Sequence, residues 1–311
     1  MTKTLYFLPL AFCFLFFTNS SHAQSKKELL KQGDSYYAQK DYQKAIEAYQ
    51  SVEKKLSPQQ RTQLGLSYYA TNEPEKAVDC FQQAADKKNV EGIRCMGFAY
   101  EQGIGSIQQD FEKAKEYYEE AGEAGDDVAL FNLGYLYTNG SLGEPDQKKG
   151  FSYYQRAAKL GHPRAYNNLG YMYEYGMSVA ESPKKAFEHY KKAAELGDLY
   201  GMTSLAQSYE AGYGTPANPE EAFRWFEKAA DQEHAPAQVR MGFYYEEGNQ
   251  VTQDYTKAYE FFNAAAGQLH VPGMVNVGRL IREGKTDEQD FDMAAKIFVY
   301  GIKSGDAQAA Y

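Results

Sequence analysis

A glycine with a tyrosine three residues after it returns along this chain at a nearly fixed interval, and that interval constrains the fold more than any other feature. Gly33, Gly65, Gly97, Gly134, Gly170, Ala206, Gly242 and Gly278 are separated by 32, 32, 37, 36, 36, 36 and 36 residues. The first seven are followed by Tyr36, Tyr68, Tyr100, Tyr137, Tyr173, Tyr209 and Tyr245, the eighth by Ile281. A second column is alanine, with one glycine: Ala45, Ala77, Ala114, Gly150, Ala186, Ala222, Ala258 and Ala294. From each of these to the next anchor the count is 20, so the extra residues of the later units all fall between the two columns. A period of this size means stacked supersecondary units, none of which can bury its apolar face alone.

Both halves of a unit read as helices. Leu133, Leu136 and Tyr137, and then Phe151, Tyr154, Ala157 and Ala158, fall on one face at helical spacing. Four residues before the alanine column stand Asp41, Glu73, Asp110, Asp146, Ser182, Asn218, Asp254 and Asp290, seven of them favoured N-cap types. Pro74, Pro183 and Pro219 follow at the first helical position, where no N–H is missed. Gly103, Gly140, Gly176, Gly212, Gly248 and Gly284 are placed to end the first helices with a left-handed cap. The chain is therefore expected to be all-α, helix–loop–helix eight times over.

The later units resemble Sel1-like repeats: Leu169-Gly170, Tyr173, Gly176, Lys185-Ala186, Ala193-Ala194 and Gly197 carry almost the whole pattern. The first two, with their shorter loop, resemble tetratricopeptide repeats through Gly33, Tyr36, Ala45 and Tyr49, then Gly65, Tyr68, Ala77 and Phe81. The resemblance implies a right-handed α-solenoid of about eight repeats used for protein–protein contact, often in bacterial envelopes. The boundaries are read as 1–23 signal peptide, 26–89 two tetratricopeptide-like repeats, 90–304 six Sel1-like repeats and 305–311 a partial capping helix. The last segment repeats the start of a first helix and stops before the leucine–glycine pair, so the preceding helix is expected to be poorly covered.

Lys3, the uncharged run Leu5–Phe17 and Ser21-x-Ala23 form the arrangement of a cleavable export signal, the run being too short for a comfortable membrane span. Cys13 lies inside that run behind the bulky Phe12, which excludes a lipid attachment site. The chain is expected to be exported, periplasmic or secreted, with no stable membrane span after cleavage after Ala23. Its formal charge of −9 becomes −10 when Lys3 is lost, and no basic face builds up along the repeats. Nucleic acid is a poor partner on that ground. Cys80 and Cys95 could meet across an αα-turn in a compartment that permits disulfides, but their columns point to different faces, which leaves a bridge open. The resemblance adds no pairing: this chain lacks the cysteines with which some Sel1-like proteins staple each repeat.

Catalytic readings find no support. His162, His234 and His270 share a column with Asp126, Asp198 and Asp306 directly before a first helix, the behaviour of a helix-start residue. One histidine per repeat is too widely spaced for a shared ion. His189 stands in a column otherwise filled by Tyr117, Tyr153, Trp225 and Phe261, where packing is its expected role. Gly103-Ile104-Gly105 and Gly212-Tyr213-Gly214 follow no strand, so a dinucleotide loop is excluded. No enzyme, cofactor or metal is implied.

A binding surface follows from helix geometry. Residues two before and one after each anchor flank the packed column, and in tetratricopeptide proteins these columns face the concave groove. They supply Asn132, Tyr135, Asn168, Tyr171, Arg240, Phe243, Asn276 and Arg279 as groove candidates. Asparagine amides can pair with an extended peptide backbone, and tyrosine offers contact area at low entropy cost. Tyr135, Tyr171, Tyr175 and Tyr213 also fall in columns that folding does not require to be aromatic. The chain thus reads as an exported non-enzymatic scaffold or adaptor that binds a protein or peptide segment. Alternatives are a secreted host-interaction factor or an accessory protein of envelope, cell-wall or polysaccharide assembly, and least of all an enzyme.

Overall fold

The computed structural model describes residues 25–286, which form fifteen α-helices, one short 3-10 turn and no strand. They follow in pairs: α1 (Lys26–Ala38) with α2 (Tyr42–Gln50), α3 (Pro58–Ala70) with α4 (Pro74–Ala85), and α5 (Val90–Gln102) with α6 (Phe111–Glu123). Next come α7 (Asp127–Thr138) with α8 (Gln147–Lys159), α9 (Pro163–Glu174) with α10 (Pro183–Glu195), and α11 (Leu199–Ala211) with α12 (Pro219–Ala230). The series continues with α13 (Ala235–Glu247) and α14 (Tyr255–Gly267), then α15 (Val271–Arg282) as the first helix of the eighth unit. The expected export signal, Asp290, Ala294 and the capping segment 305–311 lie outside the described residues.

Each helix packs on its sequence neighbours, and first helices also touch the first helices of the next unit, as α1 does α3 and α9 does α11. The chain is an α-solenoid with first helices in one layer and second helices in the other. Its loops have the two lengths read from the spacing, three residues between α3 and α4 and eight between α9 and α10.

The anchor glycines hold the layers together. A methyl group added at Gly65, Gly97, Gly134, Gly170 or Gly242 would lie 2.5–2.7 Å from the ring of Phe81, Tyr118, Tyr154, Tyr190 or Phe262, and one at Gly33 would strike Tyr49. The second-helix aromatic therefore lies flat against the first-helix backbone, a contact only the absence of a Cβ permits. The tyrosine three residues on does a second job. Lysines immediately before the alanine column (Lys44, Lys76, Lys113, Lys149, Lys185 and Lys257) each place their ammonium 5.0–5.6 Å from the centre of that ring. Four of the same rings stack on Tyr117, Tyr153, His189 or Phe261, so His189 is a packing residue.

Helix starts agree with the cap column. Asp41, Asp110, Asp146, Ser182, Asn218 and Asp254 each accept from a backbone N–H of the first turn, and Glu73 does not. In the histidine–aspartate column, Asp126, Asp198 and the Nδ1 of His162 do the same for first helices, while His234 and His270 make no such bond. The six glycines expected as left-handed caps all have φ between 65° and 80°.

Gly150 departs from the alanine column for a steric reason. The γ-methyl of Thr138 occupies the place where a Cβ on residue 150 would be. Thr138 stands where neighbouring units carry Glu101, Glu174, Glu210 and Glu246, so one change requires the other.

Candidate binding groove

The second-helix tyrosines reach past the anchor glycines and present their hydroxyls among residues of the first-helix layer. Tyr118 donates to Glu101 (2.6 Å) and Tyr190 to Glu174. The Tyr154 hydroxyl lies 3.2 Å from that of Thr138. In the first unit Tyr49 meets Asp34 (2.8 Å) and Gln63 (2.7 Å). Asn132 lies beside the Tyr118 hydroxyl and Asn168 beside that of Tyr154, where each offsets part of the effect of burial on the phenol. Burial raises the pKa of Tyr118, Tyr154 and Tyr190, so the hydroxyls stay protonated donors. Both asparagines are half-buried and line the pockets described next, where their amides can meet a ligand.

Two pockets adjoin at this point. The first, about 390 Å³, lies between α7 and α9 and is lined by Tyr135, Thr138, Asn139, Gln147, Tyr154, Asn167, Asn168, Tyr171, Met172 and Met177, all uncharged. The second, about 480 Å³, runs from Glu101 on α5 to Tyr200 on α11 past Phe131, Asn132 and Arg164. They share Tyr135, Asn167 and Asn168, making one groove. Tyr135, Tyr171 and Tyr200 are 48–49% exposed, and Tyr175, 60% exposed, packs on Tyr171 with ring centres 4.5 Å apart. Four exposed tyrosines in one place is apolar surface that folding does not bury.

Of the eight residues chosen from the sequence, Asn132, Tyr135, Asn168 and Tyr171 line this groove. The other four lie apart, over α13 and α15, and are engaged internally. Arg240 pairs with Glu210 (2.5 Å), its guanidinium over Phe226, and Phe243 stands edge-on to Phe262. Asn276 is buried, donating to the Pro272 carbonyl (2.8 Å) and accepting from Arg279, which also grips Glu246 through both terminal nitrogens. The sequence reading missed Glu101, Phe131, Thr138, Asn139, Gln147, Arg164, Asn167, Met172, Met177 and Tyr200. Tyr213, expected as a surplus ring, is half-buried and donates to the Glu174 carbonyl (3.2 Å).

Cys80 and Cys95 are free, buried thiols, and burial pushes both up to about 12, where neither is a nucleophile at neutral pH. Among the described residues no three metal-ligating side chains converge, and no helix is long and apolar enough to cross a membrane.

Comparison with known proteins agrees with this architecture. The Sel1 repeat pattern matches residues 96–126, 127–162, 163–198, 199–234 and 235–268, and a tetratricopeptide repeat pattern matches 29–56 and 62–87. No curated protein matches the chain. A Sel1 repeat protein from Oxalobacter formigenes is 25% identical, with 77% of this chain and 99% of that one aligned at a TM-score of 0.70. A protective antigen of uropathogenic Escherichia coli with an SLR fold is 24% identical at a TM-score of 0.62, over 91% of this chain. This chain spans 62% of that antigen's length.

Proposed function

We propose that this chain, which belongs to the Sel1 repeat family, is an exported non-enzymatic adaptor that holds a protein, or a peptide segment of one, in the groove across α7, α9 and α11. The observation that carries the reading is the concentration of Tyr135, Tyr171, Tyr175 and Tyr200 beside Asn132, Asn167 and Asn168. Rigid aromatic area and planar amides in one groove suit an extended backbone: the amides pair with peptide groups and the rings cover side chains. The solenoid supports this by fixing the first helices through glycine–aromatic contacts, so the groove is formed before a partner arrives. Export rests on Lys3, Leu5–Phe17 and Ser21-x-Ala23.

The test replaces Asn132 and Asn168 together with alanine. Both asparagines are half-buried, and Tyr118 and Tyr154 keep Glu101 and Thr138 as partners, so stability should fall by no more than about 1 kcal/mol per site. A partner cross-linked to the wild-type chain in its native envelope should be lost from the double variant and kept by a variant changed at the exposed Lys191 and Lys192 on α10. Retention of the partner by the groove variant, with helicity intact, would remove this reading.

A further inference from the structure

Along the first-helix layer one unit lacks the charge that its neighbours carry. Glu101, Glu174, Glu210 and Glu246 stand four residues after their anchors and are engaged by Tyr118, Tyr190, Tyr244 with Arg240, and Arg279 respectively. Thr138 takes the acid's place between α7 and α9, which leaves a pocket with Met172, Met177 and three tyrosines and no charge. An ion entering it would lose hydration without a counter-ion, whereas a bulky neutral side chain would bury apolar area there. Methionines adapt to the shape of such a group.

Next to this pocket stands one cation. Among the described residues Arg164 is the only basic one lining either pocket, and its side chain is 53% exposed. Its nearest carboxylate, Asp198, is 4.0 Å away and is committed to the Gly201 N–H at 2.7 Å. By contrast Arg94, Arg240 and Arg279 each hydrogen-bond an acid at 3.2 Å or less. Arg164 lies over the Tyr200 ring at 5.0 Å, which orients the guanidinium and leaves its edge donors for a ligand.

We propose that the groove selects an extended peptide segment carrying a bulky uncharged side chain, held between α7 and α9, and a carboxylate within a few residues of it, held by Arg164. This deepens the peptide-binding reading above and rests on it. The shared residues Tyr135, Asn167 and Asn168 let a single strand run through both pockets. Asn167 accepts from Ser204 (3.2 Å) through its amide oxygen, which leaves the amide N–H groups as donors for partner carbonyls. The carboxylate can come from Asp, Glu or a chain terminus.

The probes are acetylated heptapeptides with Leu, Met, Phe, Lys or Glu at the centre and Asp, Asn or Lys one to three residues later, each with an amidated or a free C-terminus. Fluorescence polarisation against the full chain should rank a neutral centre with Asp first, with Asp→Asn losing about tenfold. Free-acid peptides gaining as much without Asp would assign the carboxylate to a terminus. Arg164→Gln should abolish the preference for a carboxylate, and Thr138→Glu should weaken the neutral-centre peptides about tenfold, both with unchanged circular dichroism. Peptide binding with no carboxylate preference, or a preference that survives Arg164→Gln, overturns this proposal and leaves the peptide groove standing. If no peptide binds and chitotetraose does, both fall.

Discussion

Thr138 and Gly150 form a pair in which each residue explains the other. The threonine methyl fills the space that an alanine Cβ occupies in the other units, and its hydroxyl bonds the Gly134 carbonyl (3.0 Å) while meeting the Tyr154 hydroxyl. Gly150→Ala should therefore overpack the site and destabilise by about 1–3 kcal/mol, despite the better helix propensity of alanine. In a Thr138→Ser background the methyl is gone, and the same change should stabilise by about 0.5–1 kcal/mol. Urea midpoints for the four proteins give the coupling directly, and additive effects would show that the two sites are independent. Glycine at 150 was legible as an exception in its column. Its cause was not, because the residue filling the space lies on a different helix.

At the scale of elements, seams between units differ in backbone quality. Gly125, Gly161 and Gly197 turn the chain from a second helix into the next first helix at φ of 92°, 98° and 91°. Glu233 and Leu269 hold the equivalent seams with φ of 60° and 59°, which costs an L-residue roughly 1–2 kcal/mol. Leu269 is also 66% exposed, so its side chain returns little of that cost. Leu269→Gly should raise stability by about 0.5–1 kcal/mol after the added flexibility of the unfolded chain is counted. A thermal midpoint unchanged or lowered would mean that the leucine makes a contact worth more than its backbone strain. Helix starts, stops and faces were readable from local chemistry, since caps and apolar spacing act within a few residues.

For the whole molecule, four histidines titrate in one direction. Burial lowers the pKa of His162, His189, His234 and His270 from the ordinary 6.5, because each is held neutral in the stack. The folded pKa is below the unfolded one, so the unfolded chain binds more protons as the pH falls. Their stabilisation is present above pH 6.5 and is lost as the pH drops through the folded values. Asp198, raised from 3.8 by burial, works in the opposite sense and at lower pH. The urea midpoint should fall between pH 7.5 and 5.5, and His162→Asn, a neutral cap, should flatten part of the loss. A midpoint rising over that interval would contradict the burial of these rings. Export belongs to this scale too: N-terminal sequencing of mature protein should begin at Gln24, and an intact Met1 would count against it.

The repeat, its helices and the packing columns were determined by the sequence itself, because each rests on contacts that recur with the period. The register nominated Asn132, Tyr135, Asn168 and Tyr171, which line the two adjoining pockets. It also nominated Arg240, Phe243, Asn276 and Arg279, which share those columns but are closed by contacts to Glu210, Phe262, Pro272 and Glu246. Only the tertiary structure separated the two sets. It alone joined Glu101, Arg164, Asn167 and Tyr200, drawn from three helices and three columns, into one groove. Periodicity records what every unit does alike, whereas the groove arises where neighbouring units differ and their side chains meet across the stack.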